Sequence, residues 1–127
     1  MMENNFVSLS DIRIAVPLLQ DIVDESALKI ISSIIDGEKN VIQICYENKL
    51  PLSSTYKKIR KLYHDGLVSV EKIDIDGKGR KVVFYKSKIK SLDFNLKKDG
   101  ILLQFDRNDK EHIRWINTRE SNLSQKL

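Results

Sequence analysis

Ser53, Ser54, Tyr56 and Lys57, followed closely by Lys58 and Lys61, bring short hydroxyls, a phenol and ammonium groups onto one short stretch of chain. Hydroxyls of this kind exchange hydrogen bonds with base edges and phosphate oxygens, and ammonium groups neutralise phosphates. A second basic pair, Lys78 and Arg80, stands in the glycine-rich run Asp76-Gly77-Lys78-Gly79-Arg80, where long cationic side chains can reach a flanking backbone or a narrow minor groove. This is the chemistry of holding a polyanion rather than of making bonds. No nucleophile stands in a recognisable pattern with a base. Asp74 and Asp76 lack the ligand spacing of a calcium-binding hand, and no Walker sequence is present. Cys45 is the single cysteine, which leaves no internal disulfide or multi-cysteine zinc cluster, and only His64 and His112 could add imidazole ligands. The expectation is a protein without enzymatic activity, metal or cofactor, and with no evident small-molecule ligand. Cys45, in phase with Val41 and Ile44, reads as a core thiol.

The stretch that carries these groups, Leu50 to Val68, has the form of one helix with two faces. At about 100° per residue, Leu52, Thr55, Tyr56, Ile59, Leu62 and Tyr63 fall on one side, and Ser53, Ser54, Lys57, Lys61 and His64 on the other. Pro51 suits a helix start and Gly66 a helix end. Thr55 and Ile59 belong to the core by phase and are not candidate contacts.

The surrounding charge agrees. From Asn40 to Lys90 there are twelve basic residues against five acidic ones, a surplus of seven, so the rest of the chain carries −3 of the net +4. Concentrated positive charge favours a polyanionic partner for this segment. The chain has 127 residues, 41% of them hydrophobic, enough for one globular domain with an extension. No apolar run approaches the roughly 20 residues of a membrane span, and the N-terminal stretch lacks the pattern of a signal peptide, so a cytoplasmic protein without membrane contact is expected.

Taken in order, residues 1–20 read as an N-terminal arm, with Val7, Leu9, Ile12, Ile14 and Val16 alternating like strand pieces until Pro17 interrupts. Asp24 can cap a first helix in which Leu28, Ile31 and Ile34 or Ile35 recur at core spacing and which Gly37 ends. Asn40, with Gln43 three residues on, forms a capping box for a second helix that buries Val41, Ile44 and Cys45 and ends near Asn48. The third helix follows after a tight turn. Two β-like runs, Leu67–Ile75 and Lys81–Ile89, flank the aspartate-glycine turn as a hairpin. Their apolar parity shifts near Glu71 and Lys72, which places a bulge there. Leu92, Phe94 and Leu96, a turn at residues 97–100, then Ile101, Leu103 and Phe105 predict a second hairpin with one apolar face. Asn108 and Glu111 can cap a short last helix carrying Ile113, Trp115 and Ile116, and a polar tail follows from Ser121.

Three helices and a basic-tipped hairpin predict an α+β fold, a winged helix–turn–helix over residues 21–90 with a C-terminal β-hairpin and short helix over 91–127. The run from Asp24 to Ile89 also resembles the DNA-binding domains of ArsR-type transcriptional regulators, particularly small archaeal ones. The resemblance rests on Ser53-Ser54-Thr55 through Leu62, on Asp65-Gly66-Leu67-Val68, and on Val82-Val83-Phe84-Tyr85 closing the wing. It covers about half of the chain. The paired helix cysteines by which some ArsR-type proteins hold metals are absent here.

The resulting expectation is a transcription regulator that reads double-stranded DNA as a homodimer, because one short helix reads few base pairs and two related by a two-fold axis read half-sites about 34–36 Å apart. Ser53, Ser54, Tyr56 and Lys57 would meet base edges and nearby phosphates, Lys58 and Lys61 phosphates, and Lys78 and Arg80 the flanking backbone. The alternative is a winged-helix protein-interaction module or accessory subunit in which the basic helix is incidental.

Overall fold

The computed structural model describes residues 6–108 and is an α+β fold with four helices and two small antiparallel sheets. The elements are β1 (Phe6–Leu9), α1 (Ile12–Ile22), α2 (Glu25–Ser33), β2 (Lys39–Asn40), α3 (Val41–Asn48), α4 (Leu52–His64), β3 (Val68–Ile75), β4 (Lys81–Ser87), β5 (Ile89–Lys97) and β6 (Gly100–Arg107). Two compact units result: Gln20–Lys88, and the described residues up to Leu19 together with those from Ile89 onward.

In the unit Gln20–Lys88 the helices begin and end at local signals. The Asp24 carboxylate accepts from the Ala27 N–H at 3.2 Å and starts α2. Asn40 and Gln43 exchange side-chain to backbone bonds as a capping box for α3. Three residues, Lys49 to Pro51, then lead to α4, with Lys49 in the left-handed region at φ 56° and Pro51 in an extended conformation just ahead of the first turn. Gly66, at φ 82°, supplies the left-handed step that releases the chain from α4 into β3. Ala27, Ile30, Ile31 and Ile34 of α2 and its C-terminal flank, Val41, Ile44 and Cys45 of α3, and Thr55, Ile59 and Leu62 of α4 are all buried. Burial of these helix stripes, at about 25 cal/mol per Å² of apolar surface removed from water, is what holds three short helices that would be marginal alone.

The sheet of this unit runs β2-β4-β3. Its main hairpin pairs Val68 with Ser87 through Ile75 with Lys81, and the register shifts between Val70 and Lys72, at the bulge that the change of parity predicts. The other sheet, β1-β6-β5, pairs Leu9 with Leu103 and, across the second hairpin, Leu92 with Phe105, Phe94 with Leu103 and Leu96 with Ile101.

Several expectations are corrected. Ile12, Ile14 and Val16 are not strand pieces, because Ile12–Ile22 is a helix with Pro17 inside it and only Phe6–Leu9 is extended. Alternation over three residues was a weaker signal than Ala15 and Ile22, buried seven residues apart on one helical stripe. Asp11 accepts from the Arg13 N–H and starts this helix, and exposed Pro17 forfeits only the bond to the Arg13 carbonyl. Leu28 is exposed rather than core, its place taken by Ala27 and Ile30. The first predicted helix ends at Ser33, before Gly37, with the Ile34 N–H bonded to the Ile31 carbonyl. The second wing strand stops at Ser87, whose N–H bonds to the Ile34 carbonyl, and Ile89 opens the next strand. The predicted last helix lies outside the described residues.

Candidate nucleic-acid interface

Helix α4 positions the central residues. Thr55, Ile59 and Leu62 turn inward, so Ser53, Ser54 and Lys57 are exposed on the opposite side. No side chain caps the first turn and no acidic residue lies in it. Exposed Ser53 and Ser54 therefore stand at the positive end of the helix dipole, with the Thr55 N–H already bonded to the Pro51 carbonyl. Leu52, Tyr56 and Tyr63, assigned to the apolar side by phase, stand at its margin and are exposed.

The lysines of this helix divide. Lys57 has no ion pair among the described residues. Lys58 instead reaches back to Asp24, with Nζ 2.8 Å from Oδ2. That bond, joined by the Ala27 N–H, holds the Asp24 carboxyl below its usual range. The pair ties α4 to the start of α2, so Lys58 is a brace between helices in this conformation. Lys61 lies 3.6 Å from Asp21 and stays largely exposed, close to exposed His64 at the negative end of the helix.

The β3–β4 hairpin supplies the second set. Asp76 organises its tip: Oδ1 accepts from the N–H groups of Lys78 and Arg80, and Oδ2 from Arg80 Nε at 2.9 Å. Those bonds, the two backbone ones foremost, lower the Asp76 pKa. The Lys78 side chain is exposed, while the Arg80 guanidinium is paired with Asp76 and still largely exposed.

Between hairpin and helices runs an open groove of about 310 Å³, lined by Asn40, Val41, Ile42, Tyr56, Asp76, Arg80, Lys81, Val82, Val83 and Tyr85. It brings Tyr56 and Arg80 to one surface and leaves Ser53, Ser54, Lys57, Lys58, Lys61 and Lys78 outside its lining. Burial raises the pKa of the Tyr85 phenol, and Tyr56 adds to the effect while Arg60 opposes it. The phenol is therefore a hydrogen-bonding group at neutral pH and not an anion that would repel phosphate.

Lys81 and Tyr85, which line this groove, are not among the contact residues that the sequence suggests. Lys81 directly follows Arg80 at the start of a strand, and a cation there on a hairpin facing a basic helix was the available signal. Ile42 and Tyr46, four residues apart on α3, are exposed and are not among the contact residues that the sequence suggests. Cys45 is buried, with its thiol 3.8 Å from the Pro51 carbonyl. Among the described residues no three His, Cys, Asp or Glu side chains come together as a metal site, and no helix is long and apolar enough to cross a membrane. Comparison with family models and with curated proteins finds no match to this chain.

Proposed function

We propose that the chain is a winged helix–turn–helix regulator of transcription, similar to the ArsR type, which reads double-stranded DNA as a homodimer. Helix α4 is its reading element and the β3–β4 hairpin its wing. The observation that supports this best is the outer face of α4. Ser53, Ser54 and Lys57 are exposed there beside an uncapped helix N-terminus, and the hairpin beyond carries Lys78, Arg80 and Lys81. Hydroxyls at the helix start suit base edges, and the cations suit phosphates on either side.

The test is affinity for duplex DNA as a function of salt. Each phosphate neutralised contributes about 0.9 to the logarithmic slope. Lys57→Ala is expected to flatten the slope by about one unit, whereas Lys58→Ala, whose cation is held by Asp24, leaves it nearly unchanged and lowers stability instead. Equal slopes for the parent and for the double variant Lys57→Ala with Lys61→Ala would mean that α4 is not the reading surface.

A second reading, a protein-interaction module, draws support from exposed Ile42 and Tyr46. Such a module would bind its partner with little salt dependence and lose affinity on Tyr46→Ala.

A further inference from the structure

Strand β5 is an edge. In the order β1-β6-β5 the central β6 is paired on both sides, and β5 has a single neighbour among the described residues. It spans nine residues, Ile89–Lys97, longer than the other edge strand, β1. Its pairing with β6 sets Leu92, Phe94 and Leu96 on the same face as Phe105, Leu103 and Ile101. Leu103 and Phe105 on β6 are buried, yet Phe94 is 44% exposed and Leu96 76%. Among the described residues the apolar stripe therefore runs out to the edge of the sheet and ends in exposed side chains. Proteins ordinarily blunt such edges with charge or proline; here Lys90 and Lys97 mark the ends, and the middle holds only Asp93, on the opposite face.

We propose that β5 pairs antiparallel with β5 of a second copy of this chain, about a two-fold axis at Phe94, joining two three-stranded sheets into one of six strands. A strand that pairs with itself must be self-complementary, and β5 is. About Phe94, Leu92 faces the partner's Leu96, Phe94 its own counterpart, Asp93 the partner's Asn95 and Ser91 the partner's Lys97. All three apolar residues gain an apolar neighbour, and from Ser91 to Lys97 no like charges stand directly opposite; the one like-charge pair, Lys90 against the partner's Lys98, falls at the turn where the ladder ends. Asp93 has one repulsive diagonal, its counterpart, and one attractive, the partner's Lys97. An axis at Asp93 would oppose the two aspartates and set Lys90 against Leu96. An axis at Asn95 would pair Asp93 with Lys97, but it shortens the ladder and sets Leu92 against Lys98 in the turn. Exposed ion pairs gain little, and apolar cross-strand pairs more, so the Phe94 register is favoured.

Solution mass and cross-linking test this without DNA. The full chain is expected to be a dimer at micromolar concentration, and Leu96→Lys to weaken association tenfold or more while the monomer stays folded, since that side chain is mostly exposed. Under mild oxidation Phe94→Cys should form a covalent dimer. Leu96→Cys should not, because its counterpart lies about 13 Å away along the strand, beyond the roughly 7 Å a disulfide spans. The parent, whose Cys45 is buried, is the blank. A monomeric parent overturns the proposal. So does a dimer unaffected by Leu96→Lys, which would place the interface elsewhere, and so does faster linking of Asn95→Cys than of Phe94→Cys. The proposal deepens the homodimer reading, but the outcomes separate: loss of DNA binding with the β5 contact intact would sink the DNA-reading function and leave this interface standing.

Discussion

The β3–β4 hairpin and the β5–β6 hairpin follow one another in the chain, have the same antiparallel pairing, and are held by different forces. In β3–β4 the distal residues Ile73 and Ile75 are exposed, and polar contacts act instead: Asp76 closes the tip and Lys72 lies 4.7 Å over the Phe84 ring beside the bulge. In β5–β6 an apolar face carries the load, with Leu103 and Phe105 buried on the central strand. A hairpin shaped by backbone and polar bonds leaves its outer side chains free to meet a partner. One shaped by an apolar face commits them to packing, either within the chain or against another copy.

The largest expected effect breaks the second hairpin and spares the first. Leu103 is completely buried, so Leu103→Ala should cost roughly 2–5 kcal/mol through lost burial and the cavity left behind. Ile73, 54% exposed, should cost below about 1 kcal/mol on the same truncation. Denaturant titration reads both, as a shift of midpoint at constant slope. Equal losses would mean that the outer part of β3–β4 also packs against something.

The contrast follows what could be read from residue order. Local devices were legible: the Asp24 cap, the Asn40–Gln43 capping box, the Pro51 and Gly66 boundaries, both hairpins, and the bulge betrayed by a change of parity. Each depends on residues a few places apart. Contacts across long separations were not legible. The pairing of β1 with β6 joins nearly opposite ends of the described chain, and nothing in Phe6–Leu9 announces it. Helix α1 was obscured by Pro17 and by a stretch whose spacing fits two periods. In the candidate site, the residue types were legible but their engagement was not. Lys57 and Lys58 are neighbours in sequence and point about 100° apart, and the acid that claims Lys58 lies on another helix.

A smaller effect sharpens the account of the first hairpin. Its tip is a turn in which Gly79, at φ 79°, takes the left-handed position, while Gly77 has an ordinary φ. Neither glycine has a heavy atom near the place a Cβ would occupy. Sterics against neighbours therefore play no part, and only backbone preference separates the two. Gly79→Ala should cost roughly 1–2 kcal/mol, the penalty of a left-handed L-residue. Gly77→Ala should be neutral or stabilise by up to about 1 kcal/mol, by restricting the unfolded chain. Thermal midpoints of the two variants would show opposite or clearly unequal shifts.

The subtlest test uses pH. The Asp76 carboxyl is held below its ordinary range chiefly by the N–H groups of Arg80 and Lys78, with the Arg80 side chain adding to them. A carboxyl lowered in the folded state contributes order that is fully present above its unfolded pKa and is lost as pH falls through the lowered value. At neutral pH the tip of β3–β4 should therefore be ordered. On acidification below the usual carboxylate range, the Lys78 and Arg80 amides should lose hydrogen-bond protection together, and Asp76→Asn should remove that transition while leaving an oxygen to accept from the turn. The β5–β6 pairs Phe94–Leu103 and Leu96–Ile101 are apolar and should hold through the same range. Amide chemical shifts followed by NMR would separate the two hairpins. If their protection fell at one pH, Asp76 would not be what shapes the basic tip, and the division between a polar-held and an apolar-held hairpin would fail.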